Sequence, residues 1–115
     1  MKYILLIYGD QLAEAALSPE QQQTQMMAHV SYAQTMREQG VMIGGEVLMP
    51  SSAATTVRLR EGKTLTTHGP FAETTEQLGG YYVLEVDHLD EALAWAAKNP
   101  SAATGSIEVR PVLEY

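Results

Sequence analysis

Two stretches, YILLIY at residues 3–8 and YYVLEV at residues 81–86, are apolar on both faces of any strand they form. The chain offers only two long helical patterns to cover them. Two helices cover one face of a sheet, so the other face must meet something else. A second copy of the same sheet is the simplest partner, and the expectation is a two-fold homodimer. A chain of 115 residues makes one domain, over 1–115, and leaves much of its surface exposed, so burial by association suits it.

The remaining pattern orders the elements. Lys2 to Tyr8 reads as a central strand, and a polar loop runs on to Ser18. Ser18-Pro19-Glu20-Gln21 is a helix start, with a capping serine, proline at the first helical position and glutamine closing a capping box. That helix runs to Gln39 and stops at Gly40, with Met26, Val30 and Ala33 as its apolar stripe and Met27 and Met36 on the flanks. Strands follow over 41–48 and 55–60, and Glu61-Gly62 turns the chain back into 63–67 as a hairpin. A strand over 80–86 comes next. A second helix then opens at Asp87, with Leu89, Ala92, Leu93, Ala96 and Ala97 as its buried stripe, and ends at Asn99-Pro100. The last strand covers 106–113. Two strand–helix–strand halves make an α+β, ferredoxin-like βαβ-βαβ protomer with an extra hairpin. Its antiparallel sheet carries both helices on one face.

Charge and cysteine usage exclude several functions. A net charge of -7 repels a phosphate backbone, so nucleic acid is not the expected partner. No cysteine is present, which removes a disulfide framework, a zinc-thiolate site and a cysteine nucleophile. The apolar start is too short to span a bilayer and lacks a cleavage site, so the expectation is a cytoplasmic protein with no membrane contact. No metal-ligand spacing and no phosphate-binding glycine loop stands out, and no cofactor is expected.

Three histidines remain to be weighed. His29 falls inside the apolar arc of the first helix and points toward the sheet. It reads either as an acid or base in a cavity or as a satisfied core histidine. His68 precedes Gly69-Pro70 and is presented from the hairpin's end, as an acid/base or as an ordinary loop residue. His88 reads as solvent-exposed. Glu46 lies in an otherwise apolar strand, facing solvent or lining a cavity. Glu73 and Glu76 straddle two threonines on a turn, as ligand contacts or as solvated acids. Arg58 reads as a holder of a substrate carboxylate or as part of a solvated sheet face.

The segments YILLIYGD, GVMIGGEVL, TVRLREGK, GPFAETTEQLGGYYVLEV, DHLDEALAWAAKNP and GSIEVRPV together resemble the YCII-related family, and within it the DGPF-motif proteins. The resemblance implies a dimeric α+β barrel built from ferredoxin-like protomers. Some wider relatives are lyase- or isomerase-type enzymes acting on small lactones, with a histidine on the first helix and an acidic partner. His29 occupies the corresponding part of the first helix. This sequence departs from the motif at its aspartate, where it carries His68, so Glu46, Glu73 or Glu76 would supply the carboxylate, or His68 would act itself. DGPF proteins are also linked with alternative sigma factors, which implies a regulatory setting.

Two readings follow. One is a cofactor-independent enzyme acting on a small organic acid or lactone by proton abstraction and return. His29 is then the base, His68 a second acid/base or orienting group, and Arg58 the carboxylate holder. The other is a non-catalytic dimer that binds a small ligand or a protein partner. A cofactor-free oxygenase is a third, since the fold hosts many functions.

Overall fold

The computed structural model describes residues 1–115. Strand β1 (Lys2–Gly9) leads through a short helix α1 (Gln11–Ala15) to the long helix α2 (Pro19–Glu38). Strand β2 (Met42–Val47), the hairpin β3 (Thr55–Arg60) and β4 (Lys63–His68), and strand β5 (Gln77–Glu85) follow. Helix α3 (Leu89–Lys98) and strand β6 (Ser106–Pro111) complete the chain. Helix α1 corrects the expectation of an unbroken polar loop: Asp10 caps it by accepting from the amides of Leu12 and Ala13.

The main sheet has the order β2-β5-β1-β6, with every neighbouring pair antiparallel. This is the interleaved order of two βαβ halves. Strand β1 alternates cleanly, with Tyr3, Leu5 and Ile7 buried on one face. They meet Tyr82, Leu84, Tyr32, Met36, Ala92 and Ala96 in one core beneath the helices. Full burial of a side chain such as Leu5 stabilises by about 1.5–3 kcal/mol. Ile4, Leu6 and Tyr8, paired with Val83, Tyr81 and Leu78, share the other face, which carries no helix.

Helix α2 begins as its sequence dictates. The Ser18 hydroxyl accepts from the Gln21 amide, the Gln21 side chain accepts from the Ser18 amide, and Pro19 sits at the first position. It ends at Gly40, whose φ of 72° is the left-handed conformation glycine takes without strain. Its buried face differs from the expected stripe. Tyr32, Ala33 and Met36 are buried, whereas Met26, Met27 and Val30 are each 60% exposed or more. The reason is Tyr32: its ring packs edge-on against Tyr82 and Trp95, and its hydroxyl donates to the Trp95 carbonyl at 2.7 Å. Val30 turns to solvent, whereas Met26 stays on the sheet-facing side and is exposed because a hollow lies beneath that end of the helix.

Helix α3 starts at Leu89, and its cap is His88 rather than Asp87, one residue later than expected and without a capping hydrogen bond. Only Ala92 and Ala96 of its expected stripe are buried, and Leu89 and Leu93 are nearly half exposed. Strand β2 lies on the sheet edge. Gly45 permits its close pairing, since a Cβ there would stand 2.7 Å from the Tyr81 carbonyl oxygen. The hairpin β3–β4 forms a separate two-stranded sheet with Val57, Leu59 and Leu65 exposed. The protomer is a slab, 47 × 45 × 18 Å.

Candidate functional site

The N-terminal half of α2 stands off the sheet and leaves a cavity of ≈ 490 Å³. Its floor is Ile7, Gly79, Gly80 and Tyr82, and its walls come from α1, α2 and the end of β2. His29 lines it, one turn before Tyr32 and Ala33, on the sheet-facing side of the helix. The ring is half-buried, and its Nε2 lies 3.0 Å from Ser101 Oγ. Ser101 is itself fixed: it is buried in the turn after α3, and its amide donates to Asn99 Oδ1 at 2.8 Å. Burial with no carboxylate to offset it lowers the His29 pKa below the ordinary histidine value, so the imidazole is neutral at neutral pH.

Glu14 of α1 lines the same cavity. Its Oε1 lies over Gly9, where a Cβ would collide with it. Burial, and then the nearby Asp10 carboxylate, raise its pKa. A neutral imidazole and an exposed carboxyl group with a raised pKa thus line the same cavity. That pairing suits proton transfer, with one group removing a proton and the other supplying one. Tyr32 does not join them, because burial pushes its hydroxyl to about 12. Glu14 lies in GDQLAEAAL, a stretch read as loop. Asp10 as a cap before the helix-favouring run QLAEA is the signal that marks it.

The other candidates scatter. Glu46 borders the cavity, but its pairing with Tyr81 puts its side chain on the opposite face of the sheet from His29. His68 ends β4 opposite Thr55, exposed and outside the cavity. Arg58 stands over the Phe71 ring, 5.3 Å from its centroid, and lines no part of the cavity. Phe71 is 76% exposed, so it leaves the loop unanchored to the core and receives Arg58 on its ring. Glu76 Oε1 accepts from Ser106 Oγ at 2.7 Å, tying the loop to β6. Glu73 lines a neighbouring groove with Asp10 and Pro70, and that groove shares Gln11, Pro50 and Gln77 with the cavity. His88 pairs with Glu91 at 3.4 Å on the surface. No three His, Asp or Glu side chains converge as a metal-ligand set. No helix is long and apolar enough to cross a membrane.

Comparison with known proteins places these features in a family context. The profile of the YCII-related domain matches residues 1–115. An uncharacterised protein of Rhizobium meliloti (strain 1021), R00369, is 38% identical over 117 residues, covering 100% of this chain and 94% of that protein. A solved structure of 5-chloro-2-hydroxyhydroquinone dehydrochlorinase (TftG) from Burkholderia phenoliruptrix AC1100, in complex with 2,5-dihydroxybenzoquinone, superposes with a TM-score of 0.54. It covers 100% of this chain and 96% of that one at 12% identity, a likeness of fold.

Proposed function

The chain belongs to the YCII-related family, and from that footing we propose that it is a cofactor-independent enzyme of lyase or isomerase type. The observation that carries this reading is His29: a neutral imidazole held by Ser101 at the wall of a cavity that also receives Glu14. His29 takes a proton from a carbon next to a carbonyl, and the carbanion delocalises onto the carbonyl oxygen. In an isomerisation the proton returns at another carbon. In an elimination the electron pair instead expels a leaving group from the neighbouring carbon. Glu14, when it carries its proton, donates a hydrogen bond to the developing oxyanion. Each such acid–base contribution is worth about 10²–10⁴ in rate. Dehydrochlorination, the activity of the structural neighbour, is an elimination of this class. The GPFAETTEQ loop assigns the chain to the DGPF-type subgroup in this reading, with Glu14 filling the acidic role that the motif aspartate leaves open at His68.

The test is proton exchange. Unsaturated γ-lactones and cyclic enones are incubated with the protein in D₂O, and loss of the proton next to the carbonyl is followed by NMR. Exchange by the wild type, lost in His29→Gln with an unchanged melting temperature, is the expected result. Equal exchange by the two proteins removes His29 from the chemistry.

The working form in this proposal is a two-fold homodimer joined through the helix-free sheet face. The protomer exposes 8093 Å², whereas a compact monomer of this mass exposes roughly 6,200 Å². Its radius of gyration is 15.9 Å, against roughly 13 Å for a compact domain of this length. The excess, roughly 1,900 Å², exceeds the roughly 800 Å² per partner of a standard interface. Ile4, Leu6, Tyr8, Tyr81 and Val83 supply an apolar centre, with Glu108 and Arg110 beside it on β6. An isolated two-stranded hairpin is marginal in water, and β3–β4 gains a support in the same assembly.

A further inference from the structure

The polar part of the cavity wall has an unusual composition. Gln11, Gln22, Gln25 and Gln77 line it beside Ser101, His29 and Glu14. Three of these amides are anchored at one end, Gln22 by donating from Nε2 to the Leu17 carbonyl at 3.2 Å. Gln11 Oε1 accepts from the Ser51 amide and hydroxyl at 2.9 and 2.8 Å, which leaves its NH₂ group unpartnered. Gln77 Nε2 donates to the carbonyls of Ala72 and Thr74 at 3.1 and 2.7 Å, which leaves its carbonyl oxygen unpartnered. Gln25, on α2 one turn before His29, has no partner on either end within the chain and is half-buried. The wall thus presents amide donors and acceptors together with the carboxyl groups of Glu14 and Glu46, and no cation.

The chain's seven cations are all elsewhere. Arg58, Arg60 and Lys63 belong to the hairpin, Lys98 stands over Trp95, Lys2 pairs with Glu114, and Arg110 pairs with Glu108. Arg37 is the one cation that acts on a wall residue, Tyr82. It lies eight residues beyond His29 on α2, about 12 Å along the axis. A carboxylate entering the cavity would leave water without an opposite charge to meet it. Desolvating an unpaired anion is costly, whereas carbonyl and hydroxyl oxygens exchange water for amide hydrogen bonds at little net cost.

From this geometry we infer that the cavity selects uncharged small molecules bearing two or more carbonyl or hydroxyl oxygens, and rejects their carboxylate counterparts. This rests on the proposed use of the same cavity for acid–base chemistry, and it narrows the substrate class from acids or lactones to the uncharged members. Glutamine-rich walls of this kind read oxygen positions on a ring or lactone, with Gln11 donating and Gln77 accepting.

The experiment measures affinity for matched probes at neutral pH. Hydroquinone and α-hydroxy-γ-butyrolactone are compared with 4-hydroxybenzoate and 2,4-dihydroxybutyrate by ligand-observed NMR and by shifts of the His29 ring resonances. The neutral member of each pair is expected to bind at least about tenfold more tightly, a gap of about 1.4 kcal/mol. Gln25→Lys is expected to reverse that order by placing a cation on the wall. Equal or tighter binding of the carboxylates by the wild type overturns the inference, and shows that a partner's cation or Arg37 reaches the ligand. Failure of all four probes to perturb His29 overturns it as well. The catalytic reading fails separately. Neutral selectivity without proton exchange leaves the inference standing and removes the enzyme, and exchange on carboxylate substrates does the reverse.

Discussion

His29 and Ser101, 72 residues apart in sequence, meet through Nε2 and Oγ at 3.0 Å. The contact ties the long helix to the turn after α3, so the ring's orientation is set by a residue from the other half of the fold. Ser101→Ala removes the contact and frees the ring to turn within the cavity wall. The expected outcome is a fall of about tenfold in turnover with little change in KM, because a hydrogen bond that orients a base acts mainly on the chemical step. The melting temperature drops only by the equivalent of about 1 kcal/mol. Ser101→Thr, which keeps the hydroxyl, restores turnover.

Acid should act on His29 with a definite sign. Burial holds its pKa below the ordinary 6.5, so the unfolded chain binds the proton first as pH falls. The His29 contribution to stability is therefore complete above 6.5 and lost as pH falls through the lowered folded value. Thermal melts of wild type and His29→Gln across that window check this: the wild type should lose stability more steeply with acid. Glu14 acts in the opposite direction. Its raised pKa makes the folded state the better proton binder, so its contribution is lost as pH rises from the ordinary 4.5 through the raised value.

Arg58 over Phe71 predicts a structural phenotype without a binding one. An exposed cation–π contact is worth about 0.5–1 kcal/mol. Arg58→Gln should lower stability by that amount and leave the binding of neutral probes unchanged, since the arginine lines no part of the cavity. A large loss of ligand affinity would bring Arg58 back to the site, through the partner protomer.

Leu6→Asp tests the sheet face. Leu6 pairs with Tyr81 and Glu108 at the centre of the helix-free surface. Light scattering should show a dimer for the wild type and a monomer for the variant. A wild-type monomer at micromolar concentration removes the interface.

Met36→Ala tests the core. The side chain is fully buried beneath α2, and truncation leaves a hole that the surrounding layers fill only in part. A loss of about 2–5 kcal/mol is expected in chemical denaturation.

The order of the main elements along the chain was legible because strand periodicity, glycine turns and the capping box all agree. Ser18, Pro19, Gln21 and Gly40 each do what their chemistry requires. The phase of α2 was not legible. Hydropathy favours Met26 and Val30, but burial follows Tyr32, whose phenol satisfies its hydroxyl on Trp95 while its ring packs. Position along the chain also hides which carboxylate reaches the histidine. Glu46 is excluded only by strand register, and Glu14 is brought in only because Asp10 starts a helix where polarity suggests a loop. His29 was legible on the helical wheel, whereas its serine partner was not, because sequence carries no sign of a contact between the two halves.

The long helix is packed at one end and unsupported at the other. Its three buried residues, Tyr32, Ala33 and Met36, all lie in its second half. Amide protons there exchange only when the core opens, whereas those around Gln22 to His29 exchange through local fraying over the cavity. The stretch leading up to the histidine is thus also the part of the helix that costs least to displace. Occupancy of the cavity becomes, in effect, the missing half of the helix's packing, so a ligand's arrival would be recorded first as slowed exchange along that first half.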